Sequence, residues 1–286
     1  MDLVSPLTAR KTWGALEPLH GLVYFAPEAD ERYGALGLSH PRSGYFASRS
    51  AAMGPVPPEV VIATFFNFEP GLVRTALDGV WDRTTPADVL DARLQVVDDA
   101  LRRALGDAVA SPEVVEAAAL ARAAAEHAAT DVVGRPLFAG HVGLPWPEDP
   151  HLVLWHAQTL LREHRGDGHV AALVVEGLDG LGALVSHAAS GQVPAHVLRT
   201  SRAWDEPSWS SAVDDLRGRG LLTADPDPTF TEEGAAQRGR IEASTDARSA
   251  PAYAALGEDG CRRLRELAKP MAKAAYSAYV LPTGFL

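Results

Sequence analysis

Thr85-Pro86, Ser111-Pro112 and Asp149-Pro150 each set a hydrogen-bonding side chain directly before a proline at the head of a long stretch. Each pair reads as a helix start. The side-chain oxygen accepts from the free amides of the first turn, and proline at the first helical position gives up only an amide that had no partner. After Thr85-Pro86, residues Val89, Leu90, Leu94, Val97, Leu101 and Leu105 fall on one face of a helix reaching about Leu105. After Ser111-Pro112 an alanine-rich run reaches about Ala128, and its small side chains let the two helices pair closely and antiparallel. A chain punctuated in this way is expected to be mainly α.

The third start opens the stretch richest in polar chemistry, Asp149 to Glu176. Within it His156, His164 and His169 stand beside Arg165 and Asp167, with Gly166 and Gly168 between the charged groups. The helix is expected to stop at Gly166, which adopts a left-handed terminal conformation cheaply. Asp167 then caps a second helix through Val170 to Glu176, so His164, Arg165, Asp167 and His169 line a tight corner. His156 and Glu163, seven residues apart, share a stripe, whereas His164 lies roughly 80° round from His156. The plainer alternative makes Asp167 only a cap, the glycines only corner residues and the histidines partly exposed helix positions.

Other residues feed a candidate pocket around this corner. Trp155 and His156 precede it on the first helix, and the proline-rich loop before it carries His141 and Trp146 as rim groups. Residues 59–68, EVVIATFFNF, are apolar almost all round and are expected as a central buried helix, in which Asn67 needs a partner. Arg49, following Tyr45 and Phe46 on an earlier helix, could reach a pocket. His20, Tyr24 and Glu28 recur every four residues but are read as core and capping groups, because Pro27 interrupts a shared face.

Composition bounds the function. At 286 residues, 47% hydrophobic and 22% charged, the chain is large enough for one big domain or two ordinary ones. No apolar run approaches the roughly 20 residues of a membrane span, and no leader pattern opens the chain, so no membrane partner and a cytoplasmic location are expected. The single Cys261 excludes an internal disulfide and a four-cysteine zinc site, and it falls in an amphipathic helix as a packed side chain. The net charge of −11 is spread over both halves and disfavours general binding to polyanions.

The C-terminal third has a recognisable order of elements. Residues 206–220 form an amphipathic helix, followed by Leu221-Leu222-Thr223, the acidic turn ADPDP, then Thr229-Phe230-Thr231 and a further helix. This order, with Leu216 to Leu221 and with Thr231-Glu232-Glu233-Gly234, resembles the winged helix-turn-helix of MarR-type regulators. The long helices after it are similar to that family's C-terminal helices. The whole chain also resembles an uncharacterised actinobacterial helix-turn-helix family that shares the HRGDGH sequence of residues 164–169. The resemblance implies a fold that is mainly α, with a helical, pocket-forming domain at 1–198 and a winged helix-turn-helix with a small β-wing at 199–286. It assigns DNA contact to Ser210, Ser211, Arg217 and Arg219, and a homodimer to the assembly. The residues depart from that pattern, because Asp214, Asp215, Asp225 and Asp227 would repel a phosphate backbone. The wing then serves as a dimer contact or a cover.

Three functions remain open at this level, the third being a purely structural or partner-binding protein. The first is a winged-helix protein that binds a small molecule through Trp155, His156, Arg165, His141, Asn67 and Arg49, either as a ligand-responsive regulator or as a descendant with weakened DNA binding. The second is an enzyme in which His164 or His169 acts as general base, Asp167 orients it and Arg165 holds an anion. In a variant, His156, His164, His169 and Glu163 ligate a metal or haem iron, with His141 or His20 completing the set. No cofactor, metal or reaction class is named by any motif.

Overall fold

The computed structural model describes residues 4–279. Its elements, in chain order, are α1 (Pro6–Gly21), α2 (Glu28–Ala35), α3 (Ser43–Ser50), α4 (Pro58–Phe65), α5 (Pro70–Leu77), α6 (Val80–Arg83), α7 (Pro86–Leu105), α8 (Pro112–Ala128), α9 (Pro136–Val142), α10 (Pro150–Val175), α11 (Gly180–Ala189), α12 (Ala195–Ser201), α13 (Glu206–Gly218), α14 (Glu232–Ser249) and α15 (Gly257–Ser277). The protein is all-α, with no strand among the described residues. Two of the three cap-proline starts make their predicted bonds: Thr85 and Ser111 accept from the amides of Asp88 and Val114. No single described helix is long and apolar enough to cross a membrane.

The chain forms two compact units that interleave in sequence rather than dividing at residue 198. The first takes residues 4–56, 76–168 and 246–279, and the second takes 57–75 and 169–245. In the first unit α1 runs along α15, and α7 and α8 both lie on α15. Its core includes Leu16, Leu19, Phe46, Phe138 and Leu264, all 2% exposed or less, and Cys261 is buried as expected. The second unit packs Leu181, Leu184, Trp209, Leu216 and Ile241 together.

The expected corner at Gly166 does not form. Helix α10 runs without a break from Pro150 to Val175 and is buried on nearly every side from His151 to Gly168. It therefore takes the central place that the sequence assigned to residues 59–68. In that segment α4 ends at Phe65, only Val61 and Phe65 of the helix are buried, and Phe66 turns the chain with φ 64°. A glycine inside a helix costs roughly 1 kcal/mol, which tertiary packing overrides here. Gly168 also has a packing reason: a Cβ there would sit 2.8 Å from Nη1 of Arg135, whose guanidinium donates to the backbone carbonyl of His164.

The expected β-wing is likewise reduced. Leu222 and Phe230 form one isolated antiparallel bridge, flanked by the bonds Thr223 N to Thr229 O and Thr231 N to Leu221 O. Pro226 and Pro228, within the turn, have no N–H to extend the ladder. Thr231 secures the exit: its hydroxyl donates to Gly220 O at 2.6 Å and accepts from Gly234 N at 3.1 Å. Gly234 is required there, because a Cβ would lie 2.0 Å from the Leu221 carbonyl oxygen.

Candidate ligand site

The polar chemistry of the first unit gathers around Trp155, in the second turn of α10. Its indole stacks on His20 at 5.4 Å between ring centroids and 5° between planes, and its Nε1 donates to the His20 carbonyl at 3.3 Å. The Thr159 hydroxyl donates to the Trp155 carbonyl, so it can only accept from His20 Nδ1, 3.1 Å away. That places the imidazole proton on Nδ1. Nε2 is then bare and accepts from the Tyr24 hydroxyl at 2.9 Å. Burial, reinforced by Arg162, Arg93 and Arg49, holds the His20 pKa well below the ordinary histidine value, in keeping with a neutral ring.

His141 is fixed by the same logic. Its Nδ1 faces the Leu137 carbonyl at 2.9 Å and must carry the proton, which leaves Nε2 to accept from Arg93 Nη1 at 3.2 Å. Burial and then Arg93 lower its pKa to about 4. His156, edge-on to Trp146 at 4.7 Å, is lowered to about 4 by burial and Arg93.

Three guanidiniums surround these rings. Arg49 binds both Glu163 oxygens at 3.1 and 3.2 Å and donates to the Tyr45 hydroxyl at 3.0 Å. Arg162 binds Glu17 at 2.8 Å and Glu163 at 3.0 Å. Burial would raise the Glu163 pKa, but Arg49 and Arg162 outweigh it and hold the carboxyl at about 2. Arg93 lies over the Trp155 ring at 4.9 Å, and its Nη1 donates to the Ser48 carbonyl at 3.1 Å. Ser48, Tyr24, Tyr33 and Tyr45 line a cleft of about 370 Å³ in this unit.

Of the residues singled out in the sequence, His20, Tyr24, Arg49, His141, Trp146, Trp155, His156 and Glu163 belong to this cluster. The others lie apart from it. Arg165 pairs with Asp246 at 2.7 Å and stacks over Trp13, while the Asn67 carbonyl accepts from Trp204 Nε1 in the second unit. The His164 ring packs edge-on to Phe138, and its Nδ1 is buried without a hydrogen-bond partner. Asp167 does cap a helix, but it is α9: its carboxylate accepts from the Phe138 amide at 2.9 Å. That bond helps explain why the expected rim loop is helical and why His141 points inward. His169 Nδ1 meets Thr245 Oγ1 at 2.9 Å in the second unit. On one continuous helix His164 and His169 stand about 140° apart, so the proposed base pair is spread round the axis.

The metal variant finds no support in this arrangement. Glu163 is enclosed by two arginines, and His156 and His164 are more than two turns apart. Among the described residues Asp98, Asp149 and His151 stand close enough to hold an ion, but Arg102 already pairs with both carboxylates at 2.8 and 3.3 Å.

Sequence reasoning missed Arg93 and Arg162. Arg93 had a readable signal, since it falls on the stripe of α7 that buries Val89, Ala92, Val96, Val97 and Ala100.

In the second unit a short turn joins α12 to α13, with Asp205 capping α13 through the Ser208 amide at 2.8 Å. Ser210 and Ser211 are exposed on α13. Arg217 and Arg219 are occupied internally: Arg217 donates to the carbonyls of Thr223 and Asp225, and Arg219 to that of Gly177. The unit carries 13 carboxylates against seven arginines and no lysine among residues 57–75 and 169–245. A helix-turn-helix family matches residues 9–282, and the chain belongs to that family. No curated protein and no solved structure matches it.

Proposed function

We propose that the first unit binds a small organic molecule, and that the chain is a ligand-responsive regulator, or a descendant of one, whose DNA contacts have weakened. The observation that carries this reading is the cleft lined by Tyr24, Tyr33, Tyr45 and Ser48, with Arg49 bonded to Tyr45 and Arg93 to Ser48 behind it. Buried polar groups that converge beside a cleft are the usual composition of a ligand pocket. The MarR-like resemblance of residues 206–234 supports the regulator ancestry, and a homodimer belongs to that reading. The acidic surface of α13 and of the following turn, with both nearby arginines turned to backbone carbonyls, argues for weak DNA contact.

Two measurements test it. Native mass spectrometry of protein purified from its own cells is expected to find a noncovalent small molecule, and Tyr45→Ala to reduce its occupancy. An electrophoretic shift assay with DNA flanking its own gene is expected to give weak binding even at low salt. Tight, sequence-specific DNA binding with no bound molecule would reverse both halves of the proposal.

A second reading, acid-base chemistry, is supported by Asp167, whose carboxyl burial pushes up to about 6, three residues from the unpartnered Nδ1 of His164. Its test is turnover in a metabolite mixture that is lost in His164→Gln while the fold is retained.

A further inference from the structure

A second cleft, of about 430 Å³, opens within the second unit between α11, α13 and the turn that follows α13. Its lining is largely apolar: Val185 and Trp209 are buried, with Val213 and Pro228 half-buried beside them. The exposed part of the lining is acidic, because Glu206, Asp214 and Asp227 all contribute to it. An apolar cleft of this size with a few charged groups at fixed places has the ordinary make-up of a small-molecule site.

The charges on this lining do not cancel. Glu206 pairs with Arg199 at 2.9 Å, and Asp214 with Arg217 at 3.3 Å. Asp227 forms no ion pair among the described residues. Arg217 is held away from that task, since its guanidinium also donates to the backbone carbonyls of Thr223 and Asp225. Three carboxylates against two guanidiniums leave the cleft one negative charge. That charge repels an anion, nucleic acid included. A second copy of the chain is no better suited, because the whole unit carries 13 carboxylates against seven arginines. A monocation with an apolar body suits both the walls and the charge.

We infer that this cleft is a binding site for a small hydrophobic monocation, an organic ammonium ion whose apolar body lies against Trp209 and Val213 and whose charge lies at Asp227. The site is separate from the ligand cleft of the first unit, and neither reading depends on the other. Asp227 and Pro228 come from the turn that Arg217 ties to α13, so an occupant bridges helix and turn.

The test uses the full chain at about 0.15 M salt, where exposed charges more than about 8 Å apart are largely screened. Isothermal titration calorimetry compares benzyltrimethylammonium and octyltrimethylammonium with neutral benzyl alcohol and anionic benzenesulfonate. Saturable binding of at least one ammonium ion is expected, roughly tenfold tighter than benzyl alcohol, with none of benzenesulfonate. Asp227→Asn should weaken it about threefold to fivefold, the worth of an exposed ion pair. Asp225→Asn removes the same charge from the same turn outside the lining, and should change it less than about twofold. Ala195→Phe fills the cleft from an exposed position and should abolish binding. The inference is overturned if neither ammonium ion binds, if benzyl alcohol or benzenesulfonate binds as tightly, or if Asp225→Asn costs as much as Asp227→Asn. Binding of an amphipathic lysine-leucine peptide in place of both ammonium ions would overturn it by making this face a protein-docking surface. Binding that survives Ala195→Phe but is lost in Tyr45→Ala would overturn it by moving the cation to the first unit.

Discussion

The Asp167 carboxylate, projecting from the middle of one helix, accepts a hydrogen bond from the Phe138 amide in the first turn of another, 2.9 Å away. Burial pushes that carboxyl up to about 6, against the lowering effect of the bond itself. His141, His156 and His164 are each lowered to about 4, chiefly by burial. These shifts have opposite consequences for stability.

Between about pH 4 and 6.5 the unfolded chain protonates these histidines and the folded chain does not, so their contribution to stability falls as pH falls. By the same linkage each is worth on the order of 3 kcal/mol across that range. For Asp167 the folded chain holds the extra proton between about 4 and 6, so its contribution rises as pH falls. Urea midpoints measured from pH 7 to pH 4 should decline, and Asp167→Asn should make the decline steeper. A variant with the same or a shallower slope would show that Asp167 is not the opposing group.

Glu163 is gripped by two buried guanidiniums, and its removal leaves both short of an anion. Glu163→Gln should lose about 3–5 kcal/mol, the usual cost of breaking a buried pair from one side. Denaturant unfolding at pH 7 measures this. The carboxyl lies below its unfolded value, so its contribution is present above about pH 4.5 and is lost as pH falls toward 2.

The two glycines of HRGDGH should respond oppositely to alanine. At Gly166 a Cβ meets only Glu163 Oε2 at 3.6 Å, an ordinary contact, so Gly166→Ala should stabilise by roughly 0.5–1 kcal/mol through helix propensity. At Gly168 the Cβ would displace Arg135 from the His164 carbonyl, so Gly168→Ala should destabilise by about 1 kcal/mol or more. Thermal unfolding of both variants checks the continuous helix directly, because a corner at Gly166 would make the first substitution the damaging one.

Arg217→Ala should loosen the turn after α13, since Arg217 donates to the carbonyls of Thr223 and Asp225. Faster amide exchange at residues 223–229 is the expected readout. Little change is expected in residual DNA affinity at low salt. A drop in affinity together with a reduced salt slope would mean that the arginine reaches phosphate instead.

Helix starts and the all-α class were legible because capping and proline chemistry act within a single turn: Thr85 and Ser111 announce α7 and α8 without help from the rest of the chain. The HRGDGH stretch misled for the same reason. Gly166 has the local signature of a helix end, and only burial of α10 on nearly all sides, invisible in a window of ten residues, keeps it helical. The candidate site was half legible. Arg49, His141, Trp155 and His156 stood out as polar or aromatic groups in apolar or rigid surroundings, whereas Arg93 sat unnoticed on an apolar stripe. His20 and Tyr24 read as core and capping groups; His20 is fully buried, and Tyr24, bonded to it, also lines the cleft. The wing failed because two prolines remove donors that the order of elements alone does not count.

Arg217 and Arg219 are bonded to backbone carbonyls as staples, and this fixes where new specificity could be added to the second unit. Basic side chains introduced at Ser210 and Ser211 would project from α13 without disturbing either staple. Adding attraction to a duplex in this way should leave the fold unchanged, whereas recruiting the existing arginines would first undo it.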